Sequence, residues 1–172
     1  ISSKKYADYL KQIFFIPLQM NSSFVFNITD TTKVLPSYDW KGKLEPLNFL
    51  DGVYGDKNIY TTARDLLIWD RALSGNLLFT KETLEQAYAP YSNERPGIRN
   101  YGLGWRMNIY PDGKKVIYHN GWWHGYNSLF FRRPADQTTI IILGNKYNRS
   151  TYPIQVVLSI LSSNSSPIEM EE

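Results

Sequence analysis

Apolar residues recur at helical spacing near the start of the chain. The i, i+3/i+4, i+7 pattern of one helix face is formed by Tyr6, Tyr9, Leu10, Ile13 and Phe14. Ser2 or Ser3 is placed to cap this helix, and Pro17 is placed to end it. From residue 21 to residue 60 the periodicity is lost and Pro, Gly, Asn and Asp are frequent, which predicts extended loops with short strands.

Two further helices are predicted between residues 62 and 90. Thr62-Ala-Arg-Asp65 has the form of a capping box with Asp in place of Glu, and the helix that it opens ends at Gly75. The apolar face of this helix consists of Leu66, Trp69 and Leu73. A shorter helix follows, capped by Thr80 and stopped by Pro90.

The pattern changes to strand-like alternation after Asn100. Strands are predicted at residues 101–110, 115–119, 126–133 and 137–143, with Pro111-Asp112-Gly113 as the first turn. Ser150 or Thr151 then caps a predicted C-terminal helix. This order predicts an α+β fold, in which a helical and loop segment precedes an antiparallel sheet of about four strands closed by a C-terminal helix.

The predicted elements divide the chain into three parts. Residues 1–95 belong to a helical subdomain, residues 96–162 form the sheet with its C-terminal helix, and residues 163–172 form a polar tail. A meander with one helix behind it leaves its other face and an edge in need of cover. We therefore expect either the missing N-terminal half of the same domain or a homodimer through the exposed sheet.

Composition narrows the class of protein. Hydrophobic residues make up 42% of the chain and aromatic residues 15%, which indicates a folded globule. The formal charge of +3 comes from scattered Lys and Arg without a basic run, so no nucleic-acid partner is predicted. The absence of cysteine excludes disulfides and thiol catalysis. Ile1 is not an initiator methionine, and we expect the chain to be a fragment of a larger protein.

Both histidines of the chain, His119 and His124, lie within residues 118–134. His119 is either an ordinary strand-end residue or a pocket residue. The pair is a weak metal site because no cysteine or neighbouring carboxylate accompanies it, so neither a metal nor a cofactor is predicted. Trp122 and Trp123 do not form one sugar-stacking platform if the strand continues through them, because adjacent strand residues point to opposite faces.

Five short motifs follow one another along the chain: Ile13-Phe-Phe-Ile-Pro-Leu-Gln-Met20, Tyr60-Thr-Thr-Ala-Arg-Asp-Leu66, Tyr101-Gly-Leu-Gly-Trp105, His119-Asn-Gly121 with Gly125-Tyr126, and Ile142-Leu-Gly-Asn145. In this order the chain resembles the C-terminal half of the serine β-lactamase and penicillin-binding-protein-like family, in its branch of class C β-lactamases, esterases and D-aminopeptidases. The resemblance implies a partial β-lactamase/transpeptidase-like fold. It also implies an exported, periplasmic or envelope-associated protein.

The resemblance implies a serine hydrolase that opens amide or ester carbonyls through an acyl-enzyme. Its small-molecule or peptide substrate would be a β-lactam, a D-amino-acid peptide or a small ester. By position, His119 matches the Lys or His of the family's K/H-T-G strand, and the backbone N–H of Trp122 matches an oxyanion-hole donor. The candidate substrate-binding residues are Asn120, Gly121, Asn145 and Asn148.

The family's S-x-x-K and Y-x-N motifs have two matches, Ser2-Ser-Lys-Lys5 and Tyr91-Ser-Asn93. Both are rejected, because the family places these motifs before the segment that begins at Pro17 and because Ser2 lies at a frayable terminus. We expect the nucleophile, its lysine and the tyrosine upstream of Ile1, which leaves this chain inactive alone. The alternative is a non-catalytic binding protein on the same scaffold, which Asn120 favours because it replaces a hydroxyl residue.

Overall fold

The computed structural model describes residues 2–29, 31–75, 77–93, 96–152 and 159. The predicted C-terminal helix lies outside the described residues except for Ser159, and the polar tail lies outside them altogether. Within the described ranges, no helix is long and apolar enough to cross a membrane.

The first helix begins as α1 (Tyr6–Leu10) and continues as a π-helix (Lys11–Phe15). Its N-cap is Lys5 and no side chain caps it, so the prediction of a serine cap at position 2 or 3 was wrong. The helix ends ahead of Pro17, as predicted, because proline cannot continue the backbone hydrogen bonds of a helix.

Loops and very short strands fill residues 21–60, as the irregular pattern indicates. The strands are β1 (Phe24–Val25), β2 (Ser37–Tyr38), β3 (Leu44–Glu45) and β4 (Ile59–Tyr60), and a 3₁₀ turn covers Phe49–Gly52. β1 pairs with β4, and β2 pairs with β3. The Tyr38 N–H donates to the Asn145 carbonyl, and the Tyr147 N–H donates to the Tyr38 carbonyl, both at 2.8 Å. These bonds hold the β2–β3 hairpin against residues 145–147.

Two regular helices follow close to their predicted positions. α2 spans Ala63–Ser74 and ends at Gly75, and α3 spans Lys81–Ala87. The side chains of Thr62 and Thr80 cap them by accepting backbone N–H groups three residues on. The local start and stop signals therefore identify both helices.

The predicted capping box at the start of α2 is only half formed. The Thr62 side chain accepts from the Asp65 N–H, as expected. The buried Asp65 carboxylate does not return to the cap, however, and accepts instead from the Ser22 N–H at 2.9 Å and the Ser23 hydroxyl at 2.7 Å. Asp65 thus fixes the loop ahead of β1 against α2.

The large sheet has five antiparallel strands in chain order. They are β5 (Arg99–Tyr101), β6 (Arg106–Ile109), β7 (Lys115–Trp123), β8 (Tyr126–Arg133) and β9 (Thr138–Gly144). The prediction of about four strands was one short, because residues 101–110 form parts of two strands with a bend between them. Gly104 makes the bend with a φ of 74°, and a Cβ on Gly102 would lie 2.2 Å from the Ala87 carbonyl oxygen.

The sheet buries both of its faces. One face carries the apolar core: Val116, Leu129 and Phe131 with Tyr110, Tyr118, Ile140 and Ile142 packed against them. On the other face, the buried Arg132 guanidinium donates to the Asp70 carboxylate at 2.5 Å and to the Ser74 hydroxyl at 2.6 Å. This buried ion pair joins β8 to α2, so removing either partner would leave an unpaired charge inside the protein.

Candidate active site

Strand β7 is paired on both sides along its first half only. β6 pairs with residues 115–118, which we name the paired half, and β8 continues its pairing as far as Trp123. Residues 119–123, the open half, therefore have one edge without a partner strand in the described part of the chain. The strand was predicted to end at His119 and is four residues longer. An open edge of this kind offers backbone N–H and C=O groups to an extended ligand.

The open half contains Gly121, which faces Ser128 of β8 across the ladder. A Cβ at this position would lie 2.3 Å from the Ser128 Oγ, closer than real Cβ contacts allow. An alanine here would force the Ser128 hydroxyl into another rotamer, so glycine leaves room for that side chain. The same lack of a side chain lets another backbone approach the strand closely.

His119 is half-buried, and both of its ring nitrogens have partners. Its Nε2 lies 3.1 Å from the Tyr101 hydroxyl, and its Nδ1 lies 2.8 Å from the Asn120 carbonyl oxygen. Tyr101 was not among the predicted site residues, although it is the first residue of the motif Tyr101-Gly-Leu-Gly-Trp105. The short strand β5 positions its ring next to the start of the open half.

An open cavity of about 360 Å³ lies beside the open half. Its lining is mainly polar and aromatic and consists of Arg106, Asn120, Gly121, Trp122, Tyr147, Arg149 and Tyr152. The structure thus brings three of the predicted site residues together in one cavity wall. His119, Asn145 and Asn148 are not among the described residues that line it.

Two arginines give the cavity a positive charge. Arg106 and Arg149 are both exposed, and no carboxylate of the described residues lies within 4.0 Å of either guanidinium. The Arg149 Nε donates to the Tyr147 hydroxyl at 3.0 Å, a bond that raises the pKa of Arg149 above its ordinary value. The buried side-chain oxygen of Asn120 has no hydrogen-bond partner in the described part of the chain. The wall therefore offers two cations to a ligand.

Asn145 and Asn148 use their side chains to hold loops. The Asn145 Nδ2 donates to the Pro36 carbonyl at 3.0 Å, and the Asn148 Oδ1 accepts from the Ser150 N–H at 2.9 Å. The second bond caps the 3₁₀ turn Arg149–Thr151. Substrate contact by these two residues stays a prediction, while their observed contacts position the rim of the cavity.

Behind the open half lies a fully buried carboxylate, Asp51. It accepts from the Trp123 Nε1 at 2.6 Å and from the Asn48 N–H at 2.5 Å, and the His124 Nε2 lies 3.2 Å from both of its oxygens. Burial is the largest influence and opposes ionisation. The bonds from Asn48, Trp123 and His124 together outweigh it and lower the pKa of Asp51. The sequence did not predict this cluster, because Asp51 lies more than 70 residues from Trp123 and His124 along the chain.

His124 lies between two carboxylates. Glu45 is 3.6 Å from its Nδ1, and Asp51 is on its Nε2 side. Because these acids approach opposite ring nitrogens, the three side chains do not converge on one point. In the described part of the chain, no three His, Asp or Glu side chains are grouped as a metal site.

The two rejected sequence matches lie in ordinary structural settings. Ser2 is exposed ahead of the first helix. The exposed Tyr91 hydroxyl donates to the Gln86 carbonyl at 3.1 Å, and the Asn93 side chain donates to the Pro90 carbonyl at 3.3 Å. Neither match contributes to the lining of the cavity.

The fold and the site together define an α+β domain in which the open edge of a sheet strand borders a positively charged cavity. A family model described as "Beta-lactamase" matches residues 1–156. The chain belongs to this family, and its partial β-lactamase/transpeptidase-like fold confirms the predicted resemblance.

Three similar proteins show how much of a relative the chain represents. It is 28% identical to penicillin-binding protein 4* of Bacillus subtilis (strain 168), over 88% of this chain and 37% of that protein. The structure of a penicillin-binding protein from Bacillus halodurans matches 93% of this chain and 50% of its own, with a TM-score of 0.77 and 17% identity. A D-stereospecific amidohydrolase from Streptomyces sp. matches 96% of this chain and 50% of its own, with a TM-score of 0.68 and 20% identity. The chain therefore spans half or less of the length of each of these proteins.

Proposed function

We propose that this chain supplies the sheet side of an acyl-transfer site in a serine hydrolase that attacks amide or ester carbonyls and passes through an acyl-enzyme. The observation that carries the proposal is the open half of β7, with its free edge beside the cavity. Membership of the beta-lactamase family supports the hydrolase class.

In this proposal the substrate lies along residues 119–123 and pairs with their backbone. Gly121 leaves room for that approach, and the Trp122 N–H donates to the oxyanion that forms during attack. Donors placed in this way contribute about 10²- to 10³-fold to the rate in serine hydrolases, because they act where negative charge develops. The serine, its lysine and the proton-shuttling tyrosine come from outside residues 1–172, which agrees with the share of its relatives that the chain spans.

Labelling tests this division of the site. The complete product of the gene that encodes this chain is treated with a fluorophosphonate and with a fluorescent penicillin, in parallel with the isolated chain. We expect one covalent adduct on the complete product, at a serine outside the 172 residues, and none on the isolated chain. Stoichiometric labelling at Ser2 would contradict the assignment of the nucleophile, and S2A is the matched control.

The two arginines favour a substrate that carries a carboxylate. A guanidinium pairs with a carboxylate through charge-assisted hydrogen bonds, and neither arginine has such a partner among the described residues. We therefore propose a β-lactam or a D-amino-acid peptide in preference to a neutral ester. The structural similarity to a penicillin-binding protein and to a D-stereospecific amidohydrolase agrees with this class.

A substrate with a free carboxylate and its methyl ester together test whether Arg106 and Arg149 bind the substrate's charge. We expect R106Q and R149Q to lower kcat/KM for a free-carboxylate substrate about tenfold each and to leave its methyl ester nearly unchanged. R99Q is the control, because Arg99 is an exposed arginine of β5 that does not line the cavity. Equal losses on both substrates would show that the arginines act on the structure and not on the carboxylate.

A non-catalytic binding protein is the second candidate. It is favoured by Asn120, which stands where the family has a hydroxyl residue and whose buried oxygen lacks a partner among the described residues. Calorimetry with a peptide ending in D-alanyl-D-alanine distinguishes the two. Saturable binding by the complete product without turnover or adduct would establish the binding protein and overturn the hydrolase.

A further inference from the structure

The contacts of His119 define which of its nitrogens carries a proton. A backbone carbonyl can only accept, so the 2.8 Å contact between Nδ1 and the Asn120 oxygen requires an N–H at Nδ1. In a neutral ring the other nitrogen, Nε2, is then an acceptor. The Tyr101 hydroxyl, 3.1 Å away, must therefore donate to it.

The Tyr101 ring contacts two other residues of the site. It meets the His119 imidazole edge to face, with ring centroids 6.2 Å apart and an interplanar angle of 80°. The Arg106 guanidinium also lies over this ring, 5.8 Å from its centroid, and Arg106 lines the cavity. Tyr101 thus connects the cavity wall with the first residue of the open half.

We propose that Tyr101 is a positioning residue of the site, which orients the His119 ring and, when that ring is neutral, selects the tautomer with its proton on Nδ1. A hydroxyl on one ring nitrogen and a carbonyl on the other fix both the tautomer and the orientation of an imidazole, as the outer partners of catalytic and metal-binding histidines do. The expected effect on kcat rests on the proposed function, whereas the orientation and tautomer of His119 do not.

The consequence concerns charge at the position that matches the family's K/H-T-G motif. A neutral His119 whose Nε2 accepts a hydrogen bond does not supply the positive charge that a lysine supplies there. In that state the positive charge beside the open half comes from Arg106 and Arg149, on the cavity wall. His119 then acts as a hydrogen-bond acceptor, held ready by Tyr101.

Nitrogen NMR tests the tautomer without any need for activity. The complete gene product is labelled with ¹⁵N-histidine, and H119Q identifies the His119 signals by their disappearance. We expect a protonated, pyrrole-type Nδ1 and an unprotonated, pyridine-type Nε2. In Y101F the Nε2 signal should move toward that of a nitrogen without a donor. Y91F is the control, because the Tyr91 hydroxyl donates to a backbone carbonyl. An Nε2–H tautomer in the unaltered protein would overturn the inference.

Kinetics test the consequence on the same variants. Losing one positioning hydrogen bond should lower kcat about tenfold in Y101F and leave KM nearly unchanged, while Y91F keeps both. If the unaltered protein shows neither hydrolysis nor labelling, the proposed function is overturned. The NMR result still decides whether Tyr101 positions His119. Wild-type kinetics together with an unmoved Nε2 signal in Y101F would overturn the inference alone.

Discussion

The two halves of β7 belong to one strand and are stabilised in different ways. The paired half lies between β6 and β8, and its residues Val116 and Ile117 are each only 2% exposed. The open half pairs with β8 alone and is held by polar side chains from other segments. The Tyr101 hydroxyl binds His119, the Asp51 carboxylate binds Trp123, and the Tyr152 hydroxyl donates to the Gly121 carbonyl at 3.0 Å.

The difference shows how a sheet can be stable and still present a free edge. The paired half is stabilised by burial of apolar side chains, which contributes in proportion to the area removed from water and does not depend on how the contacting groups are oriented. Hydrogen bonds from distant side chains are directional, so they orient the open half without covering its edge. The edge is free because β6 begins only at Arg106, after the bend at Gly104.

The largest effect is expected in the core behind the paired half. Phe131 faces Tyr118 across the ladder and has no exposed surface, so F131A should lower the free energy of unfolding by about 3–5 kcal/mol. Urea denaturation of the complete gene product measures this loss. F49A makes the same chemical change at a phenylalanine that is 82% exposed and should have little effect. Equal losses would show that the apolar core is not concentrated at the sheet.

The polar support of the open half should depend on pH. D51N removes the charge that Asn48, Trp123 and His124 share, and should lower the free energy of unfolding at pH 7 by about 1.5–3 kcal/mol. The pKa of Asp51 lies below its ordinary value of 3.8 in the folded protein, so its contribution is complete above that value. It is lost as the pH falls through the lower folded value.

Denaturation at several pH values checks this sign. The comparison is made in H124Q, which removes the other titratable side chain in contact with Asp51. The difference between H124Q and the double variant H124Q/D51N should stay constant from about pH 7 to about pH 5 and shrink below about pH 4, where Asp51 becomes protonated in the unfolded chain. D56N is the control, since Asp56 is exposed and pairs only with Lys57 among the described residues. A difference that grew on acidification would show that Asp51 is not held as a carboxylate.

Local signals in the sequence predicted the elements well. Thr62, Thr80 and Gly75 mark the ends of α2 and α3 because a cap and a stop act on backbone groups within one turn. The alternation of residues 126–133 predicted β8 to the residue. The fifth strand was missed because a two-glycine bend inside an alternating run leaves the period of two intact on both sides.

The site was only partly accessible from the sequence. Motif order placed Asn120, Gly121 and Trp122 together, and all three line the cavity. The supports of the open half were not accessible, because Asp51 and Trp123 lie 72 residues apart and no local pattern relates them. Tyr101 belongs to one of the motifs, but its contact with His119 depends on where β6 begins in the sheet, which is a tertiary feature.

A substitution at Gly121 tests whether the open half tolerates a side chain at this position. In G121A the new Cβ would lie 2.3 Å from the Ser128 Oγ, which must turn away, so the free energy of unfolding should fall by about 0.5–1.5 kcal/mol. G144A is the matched control in β9, where the nearest atoms would be 3.9 Å away. Adding S128A to G121A should recover most of the stability. Failure of that rescue would place the requirement for glycine on the backbone and not on Ser128.

The smallest effect on stability is expected from a substitution of Trp122. This substitution also tests most directly whether the open half of β7 is a binding edge, in contrast to the paired half. Its side chain is 68% exposed, so W122A should change the free energy of unfolding by less than about 0.5 kcal/mol, as for most surface substitutions. Because the same ring lines the cavity and lies 5.8 Å from the Tyr147 ring, W122A should still raise KM for a cavity-bound substrate. A marked loss of stability with unchanged KM would mean that the open half is held together by its aromatic residues and is not an exposed binding edge.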